Sequence, residues 1–186
     1  MSLIEDTELP GVLLITPKAF PDSRGFFVEM FRASEYAERG VLPIKQLNHS
    51  RSGRGALRGL HLQNPTAQGK LVWVTRGSVI DVAVDVRVGS PHFGKWMSRE
   101  LNDSNHCQLW VPPGFAHGFV VNSDEADFFY ACSDYYAPDD QLGIAWNDPE
   151  IGIDWGIGNP ELSGRDAEAP CLADLAGRGV LPQYSD

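Results

Sequence analysis

The sequence predicts an all-β protein built as an antiparallel sandwich, jelly roll or barrel. The clearest observation is the stretch Val79 to Val88, in which the valines from Val82 onwards alternate with polar or small residues, as in a strand with two distinct faces. Other short apolar runs are separated by clusters of glycine, proline, asparagine and aspartate. Many short strands at regular spacing with few helical stretches are typical of these architectures.

One short helix is expected before the first clear strand. The stretch ASEYAERG follows Arg32, with Ser34 as the predicted N-cap and Gly40 as the residue that ends the helix. The predicted strands are Leu71 to Thr75, Val79 to Val88, Leu109 to Val111, Phe119 to Val121 and Phe128 to Ala131. The predicted turns are Arg76 to Ser78, Gly89 to Pro91, Pro112 to Gly114 and Asn122 to Asp124.

The C-terminal part of the chain, about 40 residues, loses this periodicity. It contains Asp148-Pro149, Asn159-Pro160 and Ala169-Pro170, which disfavour regular structure, so we expect an irregular tail that wraps the barrel as loops and short turns. A length of 186 residues suits one domain with a substantial core, and we predict a single domain over residues 1–186.

Composition excludes some classes of partner. The net charge of −10 argues against nucleic acid, so a phosphate-bearing ligand would need a local basic pocket. No apolar run reaches the ~18 residues of a membrane span, and the N-terminus MSLIEDTELPG does not resemble a signal peptide. The three cysteines are far apart and odd in number, which favours reduced thiols and a cytoplasmic protein without membrane attachment.

The stretch from Ser52 to Lys70, SGRGALRGLHLQNPTAQGK, is the strongest candidate for chemistry. It places His61 near Arg54, Arg58 and Lys70, a possible base among three cations. Arginine suits phosphate oxygens and lysine suits a developing oxyanion, so the stretch predicts a site that binds a polyanion and moves a proton. The alternative is a structural histidine beside arginines.

Three later residues are further candidates, each with a simpler alternative. His117 follows a rigid proline-glycine turn, and it either contributes a polar group at a pocket mouth or ties a loop to nearby backbone. Tyr130 shares a strand face with Phe128, and is either a proton donor inside a barrel or a core residue. Asp166 is either an exposed loop residue or a carboxylate that fixes the tautomer of His61. The aromatic residues Tyr135, Tyr136 and Trp146 could pack a core or stack on a nucleobase.

A catalytic metal is not expected. Small barrels that hold one commonly use two histidines two residues apart, but the position two after His61 is Gln63 and no such histidine pair occurs. The sequence also lacks the G-x-S-x-G, P-loop and G-x-G-x-x-G motifs.

Seven motifs occurring in order resemble the dTDP-4-dehydrorhamnose 3,5-epimerase family, from about residue 4 to about residue 175. The runs around His61 and before His117 are the specific ones, and the aspartate-rich strand is less so. The motifs are Asp22 to Glu29, Gln46 to Ser50, Arg54 to His61, Gln68 to Val72, Asp81 to Asp85, Pro112 to Phe119 and Asp134 to Tyr136.

The resemblance implies a cupin-like jelly roll (double-stranded β-helix), a homodimer, no metal or other cofactor, and a nucleotide-linked 4-keto-6-deoxyhexose as substrate. The implied reaction converts dTDP-4-dehydro-6-deoxy-D-glucose to dTDP-4-dehydro-L-rhamnose in deoxysugar biosynthesis. By resemblance His61 is the base, Asp166 its partner, Tyr130 the acid on the opposite face of the sugar and Lys70 the cation beside the C4 oxygen. The residues implied to hold nucleotide and sugar are Arg24, Glu29, Gln46, Asn48, Arg58, His117 and Arg165, with Tyr136 stacked on the base.

The chemistry is consistent with that set. A hydrogen next to a ketone can be removed only if the enolate is stabilised, and inversion requires a proton to leave one face and return on the other. Four positions depart from the usual family pattern: Leu62, Trp73, Ala131 and Gln141. They leave open an enzyme that inverts only C3 or only C5, or one that acts on a different nucleotide sugar. A catalytically silent sugar-nucleotide-binding protein is a separate alternative, and the intact acid–base set argues against it.

The segment Arg24 to Phe31 predicts association. It is apolar and strand-like, and a small barrel could not easily bury it alone. We expect it to pair with a second subunit, which would bring Arg24 and Glu29 to the partner's pocket.

Overall fold

A computed structural model describes residues 2–185 of the chain. The strands are β1 Leu3–Asp6, β2 Leu13–Thr16, β3 Ala19–Asp22, β4 Gly25–Val28, β5 Gln46–Gly53, β6 Leu57–Gln63, β7 Lys70–Arg76, β8 Ser78–Asp85, β9 Trp96–Asn102, β10 Gln108–Val111, β11 Phe115–Val121, β12 Glu125–Cys132 and β13 Gln141–Gly143. The α-helices are α1 Ala33–Ala37, α2 Gly164–Ala167 and α3 Leu172–Gly177, and a single 3₁₀ turn covers Pro138–Asp140.

Two antiparallel sheets form the body of the fold. One has six strands in the order β1-β2-β10-β7-β12-β5, and the other has five in the order β13-β6-β11-β8-β9. Strands that are neighbours in space are mostly distant in sequence, as in a jelly roll. The all-β, cupin-like prediction is therefore confirmed. The strands β3 and β4 form a separate two-stranded hairpin.

The alternation in β8 explains how both faces of the five-stranded sheet become covered. Val79 and Ala83 pack in the core between the two sheets, whereas Val82 and Val84 pack on the outer face. The outer face is covered by the C-terminal segment, which contributes Trp155 among others. The predicted two-faced strand is confirmed, although β8 ends at Asp85 and the last predicted positions lie beyond it.

The C-terminal segment is more ordered than predicted. It contains α2 and α3, and the buried Leu172 and Leu175 of α3 pack against the outer face of the five-stranded sheet. Burial against the sheet, which the local sequence does not reveal, explains these helical turns.

The predicted helix near the N-terminus exists, but its predicted cap is wrong. Arg32 precedes α1 with extended backbone and no side-chain cap, and Ser34 lies inside the first turn. The helix ends at Ala37, and Gly40 lies in the following turn with φ of 83°. The buried Tyr36 anchors α1, since its hydroxyl lies 2.9 Å from Gln108 Oε1 and 3.0 Å from the Met30 carbonyl. Tertiary contacts therefore position this helix.

Within residues 2–185, none of the helices has the length and apolar character needed to cross a bilayer.

Candidate active site

A cavity of about 370 Å³ opens between the two sheets. Its walls come from strands of both sheets together with the start of α2, so the site depends on how the sheets stack. The residues that line it are Ser50, Arg58, His61, Leu62, Gln63, Gln68, Lys70, His117, Phe119, Phe128, Tyr130, Tyr136, Gln141, Ser163, Arg165 and Asp166.

His61 and Asp166 form a hydrogen-bonded pair in this cavity. His61 Nε2 on β6 lies 2.6 Å from Asp166 Oδ1, and the two side chains are 26% and 6% exposed. Ser163 caps α2 by accepting a hydrogen bond from the backbone N–H of Asp166, which holds the carboxylate in place. When Nε2–H donates a hydrogen bond to the carboxylate, Nδ1 carries the lone pair that a general base needs.

The carboxylate of Asp166 is set up to stay ionised. Burial raises its pKa, but the hydrogen bond and charge of His61, with the hydrogen bond from Ser163, outweigh burial and leave the pKa below the usual range. An ionised Asp166 accepts a hydrogen bond from His61 and so holds the ring in one orientation. Asp166 is thus a buried partner rather than an exposed loop residue.

Lys70 is a partly buried cation next to His61. Its Nζ donates to the backbone carbonyl of His61 over 3.3 Å. Burial lowers the pKa of Lys70, while the nearby Cys132 and Asp81 oppose that change. An ammonium group held in such surroundings stabilises a developing oxyanion more strongly than one in water.

Tyr130 faces this group from the other sheet. It lies on β12 of the six-stranded sheet, whereas His61 lies on β6 of the five-stranded sheet, and both line the cavity. Burial raises the pKa of the Tyr130 hydroxyl, so it stays protonated through neutral pH. Its ring lies 6.3 Å from that of Phe128, as predicted from their shared strand face.

His117 lines the cavity, as expected for a polar group of the pocket, whereas the alternative is wrong, because its ring bonds to a carboxylate and not to loop backbone. It lies within β11 and is buried, with Nε2 at 2.9 and 3.1 Å from the two carboxylate oxygens of Asp81. The strand begins directly after the proline-glycine turn, so the third strand residue already points between the sheets. Asp81 was missed as a site residue, although an aspartate in an otherwise apolar strand is a visible signal. Burial raises the pKa of Asp81, and His117 and Lys70 oppose the rise.

A hydrogen-bonded bridge crosses another part of the cavity wall. Gln141 Oε1 accepts from the Tyr136 hydroxyl and from Arg165 Nη1, each at 2.7 Å. Arg165 Nη2 also donates to the Gln141 carbonyl over 3.1 Å. Gln141 thereby orients both a ring and a guanidinium. Of the three aromatic residues predicted to form a cluster, only Tyr136 lines the cavity. Tyr135 is exposed and lies outside the lining, and Trp146 packs on the outer face of the five-stranded sheet.

Four predicted ligand-binding residues are outside this lining in the described part of the chain. Arg24 and Glu29 lie at and just beyond the β3–β4 hairpin, exposed and paired with Asp22 and Arg32. Gln46 and Asn48 lie on β5 beside the cavity. Gln46 Nε2 donates to Asn48 Oδ1 over 3.0 Å, and its Oε1 accepts from the Tyr136 backbone N–H over 2.9 Å.

Arg54 does not belong to the cation cluster that was predicted around His61. It is exposed and pairs with Asp124 at 2.9 Å. The strand β6 begins only at Leu57, so Arg54 lies in the turn before it.

The cations that do line the cavity share one property. No carboxylate among residues 2–185 forms a salt bridge with Arg58, Lys70 or Arg165, whereas nine other lysines and arginines are paired. Arg58 is instead held through Nε by Ser52 Oγ at 3.0 Å. The cavity therefore carries uncompensated positive charge inside a protein of net charge −10, a setting suited to an anionic ligand.

Histidine, cysteine and acidic side chains do not gather in groups of three or more suited to a metal ion anywhere in residues 2–185. The three cysteines, Cys107, Cys132 and Cys171, are all free thiols.

The two stacked sheets and the His61–Asp166 pair in the cavity between them define a cupin-like jelly-roll protein with an acid–base centre inside its barrel. Comparison with known proteins makes this more specific. The family model for dTDP-4-dehydrorhamnose 3,5-epimerase matches residues 6–174. The dTDP-4-dehydrorhamnose 3,5-epimerase of Pseudomonas aeruginosa is 49% identical over 169 residues, covering 89% of this chain and 93% of that protein.

Solved structures of similar proteins point to the same family. The crystal structure of dTDP-6-deoxy-D-glucose-3,5-epimerase from Legionella pneumophila, in complex with dTDP-4-keto-L-rhamnose, is 46% identical, with a TM-score of 0.96 and 100% of each chain covered. That of a 3'-monoepimerase from Streptomyces bikiniensis, in complex with dTDP-quinovose, is 35% identical, with a TM-score of 0.91 and coverage of 96% and 92%. The chain belongs to the dTDP-4-dehydrorhamnose 3,5-epimerase family, which confirms the resemblance found in its sequence.

Proposed function

We propose that this protein epimerises a nucleotide-linked 4-keto-6-deoxyhexose, converting dTDP-4-dehydro-6-deoxy-D-glucose to dTDP-4-dehydro-L-rhamnose. The observation that carries the proposal is the pairing of His61 with Asp166 on one wall of the cavity while Tyr130 stands on the opposite sheet. Inversion of a carbon needs proton transfer on both faces, and this arrangement offers a group on each side.

The first step is deprotonation. His61 removes the proton from the carbon next to the ketone, and the electron pair of that C–H bond moves into the enolate. Asp166 stabilises the imidazolium that forms, since its pKa lies below the usual range and it stays charged. The protonated Lys70, partly buried next to His61, donates to the C4 oxygen where the negative charge develops.

The second step returns a proton from the other side. Tyr130 gives its hydroxyl proton to the opposite face of the enolate carbon, the ketone re-forms and the configuration is inverted. Each inversion leaves His61 with an added proton and Tyr130 without its own, and proton exchange with water restores both groups. No bond is oxidised or reduced, so no redox partner is needed. General acid–base catalysis typically contributes about 10²- to 10⁴-fold, so stabilisation of the enolate supplies much of the remaining rate.

The arginines and one aromatic ring of the cavity support a substrate in which the sugar is attached to a nucleoside diphosphate. Arg58 and Arg165 line the cavity without carboxylate partners in the described part of the chain, and guanidinium groups match phosphate oxygens. Tyr136, oriented by Gln141, offers a ring for a nucleobase. Gln46 and Asn48 on β5 add amide groups next to that ring.

We also propose a homodimer, supported by the β3–β4 hairpin. Phe20, Phe26 and Phe27 on it are 50%, 59% and 67% exposed, an apolar surface that a monomer would rarely leave uncovered. Pairing with a second copy would cover these rings. It would also carry Arg24 and Glu29, which lie outside the lining of their own cavity, to the partner's cavity.

The three free thiols support placement in the cytoplasm, where thiols stay reduced. Fractionation of cells that produce the protein, followed by immunoblotting, tests this: recovery outside the cytoplasmic fraction would contradict it.

Incubation with dTDP-4-keto-6-deoxyglucose in D₂O, followed by NMR of the sugar, tests the reaction. We expect deuterium at C3 and at C5, with inversion at both carbons. Nucleotide binding without exchange at either carbon would identify a binding protein instead.

A single-centre epimerase is the second candidate, because the chain also resembles the 3'-monoepimerase of Streptomyces bikiniensis and has Leu62 in the cavity lining where the family pattern commonly has tyrosine. The same experiment separates the two: exchange at only one of C3 and C5 would favour the single-centre enzyme.

A further inference from the structure

The inner side of β5 carries a polar stripe along one wall of the cavity. Side chains two apart share a strand face, so Gln46, Asn48, Ser50 and Ser52 point to the same side. In the register of the sheet Ser50 pairs with Phe128 and Asn48 with Tyr130. Side chains of directly paired residues lie on one side of the sheet, and both aromatic partners line the cavity, so the stripe faces it too.

Three members of this stripe have hydrogen-bond partners within the chain. Gln46 is bonded to Asn48 and to the Tyr136 backbone N–H. The Asn48 amide donates to Cys132 Sγ over 3.8 Å. Ser52 accepts from Arg58 Nε.

Ser50 is the exception. Its Oγ is buried without a hydrogen-bond partner, and it is the only such side-chain nitrogen or oxygen among residues 2–185. A buried polar atom without a partner is costly, and each such case calls for an explanation. Ser50 also lines the cavity, and a single torsion can turn its hydroxyl towards a ligand.

We propose that the Ser50 hydroxyl is a further binding group of this cavity and that it donates a hydrogen bond to an oxygen of the substrate's diphosphate. The position supports a phosphate oxygen, since Ser52, two residues along the same face, holds Arg58 through Nε and leaves the terminal nitrogens of that guanidinium for an anion. A hydroxyl next to an unpaired guanidinium is a suitable pair of donors for phosphate. This inference rests on the proposed function, because it takes the ligand to be a nucleoside diphosphate sugar.

Calorimetric titration of dTDP into the wild type and Ser50→Ala tests the inference. We expect the dissociation constant for dTDP to rise about tenfold, since the lost hydrogen bond goes to a charged group. Binding of thymidine, which has no phosphate, should stay unchanged. The melting temperature without ligand should not fall, because the hydroxyl has no partner to lose. Ser98→Ala is the matched control, a strand serine outside the cavity lining, and should bind dTDP as the wild type does.

The outcomes separate this inference from the proposed reaction. Wild-type affinity of Ser50→Ala for dTDP overturns the inference even if the wild type epimerises its substrate. A change confined to the complete sugar nucleotide overturns the assignment to the diphosphate. If the wild type binds dTDP, Ser50→Ala binds it tenfold more weakly and neither exchanges protons with the ketosugar, the reaction is wrong and the inference stands. Failure of the wild type to bind dTDP overturns both.

Discussion

His61 Nε2 lies 2.6 Å from Asp166 Oδ1, although the two residues are 105 positions apart in the chain. One belongs to a central strand and the other to a single helical turn in the C-terminal segment. The packing of that segment against the five-stranded sheet therefore assembles the acid–base pair. A substitution that loosens the segment should impair proton transfer even if it lies far from the cavity.

Replacement of the base should abolish the chemistry and spare binding. In His61→Asn, proton exchange in D₂O should disappear at both carbons, because an amide side chain cannot act as a base, while the affinity for dTDP stays within about twofold. NMR of the sugar and calorimetry measure the two effects. His92→Asn, outside the cavity, is the control and should exchange normally. Wild-type exchange in His61→Asn would refute the mechanism.

Replacement of the partner carboxylate should be milder. Asp166→Asn keeps the shape but removes the charge that stabilises the imidazolium, so we expect a loss of roughly 10- to 10³-fold in the turnover rate, less than the loss for the base. Steady-state kinetics measure it, and circular dichroism checks that α2 and its neighbours remain folded. A larger loss than in His61→Asn would mean that Asp166 has a role beyond orienting the ring.

The Tyr130 hydroxyl should matter more for inversion than for deprotonation. Tyr130→Phe keeps the ring packed beside Phe128, and His61 can still remove and return a proton on its own face. Inversion should therefore fall much further than solvent deuterium incorporation, both read by NMR of one sample. An equal fall in both would show that Tyr130 acts during deprotonation, for example by holding the enolate. No fall in either would make its hydroxyl structural.

The alkaline limit of activity should belong to Lys70. Burial holds its pKa below 10.5, and the enolate needs its protonated form, so activity should fall as pH rises through that depressed pKa. Burial moves the pKa of Tyr130 in the other direction, above 10.0, so the hydroxyl keeps its proton over the same range. Deuterium exchange by Tyr130→Phe measured against pH should keep the same alkaline limb. Disappearance of the limb in that variant would assign it to Tyr130 instead.

The exposed hairpin predicts the oligomeric state. Light scattering at micromolar concentration should give twice the 20.5 kDa mass of the chain. Phe27→Asp places a charge at its most exposed ring and should shift the protein towards monomer. Leu42→Asp changes an exposed apolar residue outside the hairpin and should stay dimeric. A wild type that is monomeric would refute the pairing.

The bridge through Gln141 predicts a binding defect. Gln141→Leu removes the side-chain acceptor shared by Tyr136 and Arg165, so both groups lose their orientation, and the affinity for dTDP should fall about 5- to 10-fold. Gln141→Glu keeps an acceptor and should restore the placement of both side chains. Calorimetry compares the three proteins, and equal affinity of Gln141→Leu and wild type would contradict the role of the bridge.

Several strands of the two sheets could be predicted from the sequence. The missed strands and the wrong helix cap each have a local cause. The alternation in β8 and the short runs of β7, β10, β11 and β12 identified real strands, because a strand with two different environments repeats every two residues. Strands without such a pattern, β5 among them, were missed. The cap at Ser34 was wrong since the buried Tyr36, rather than a capping hydroxyl, anchors α1.

The sequence by itself determined the strand pattern, the turns that separate the strands and the set of residues able to do acid–base chemistry on a ketosugar. Only the tertiary structure decided which of them meet. It placed Tyr130 opposite His61, buried His117 against Asp81, and left Arg54 outside the cavity. The physical reason is that these relationships depend on sheet register and stacking between distant segments. A shift of one residue in register would turn each side chain to the other face, and no local pattern records which strands become neighbours.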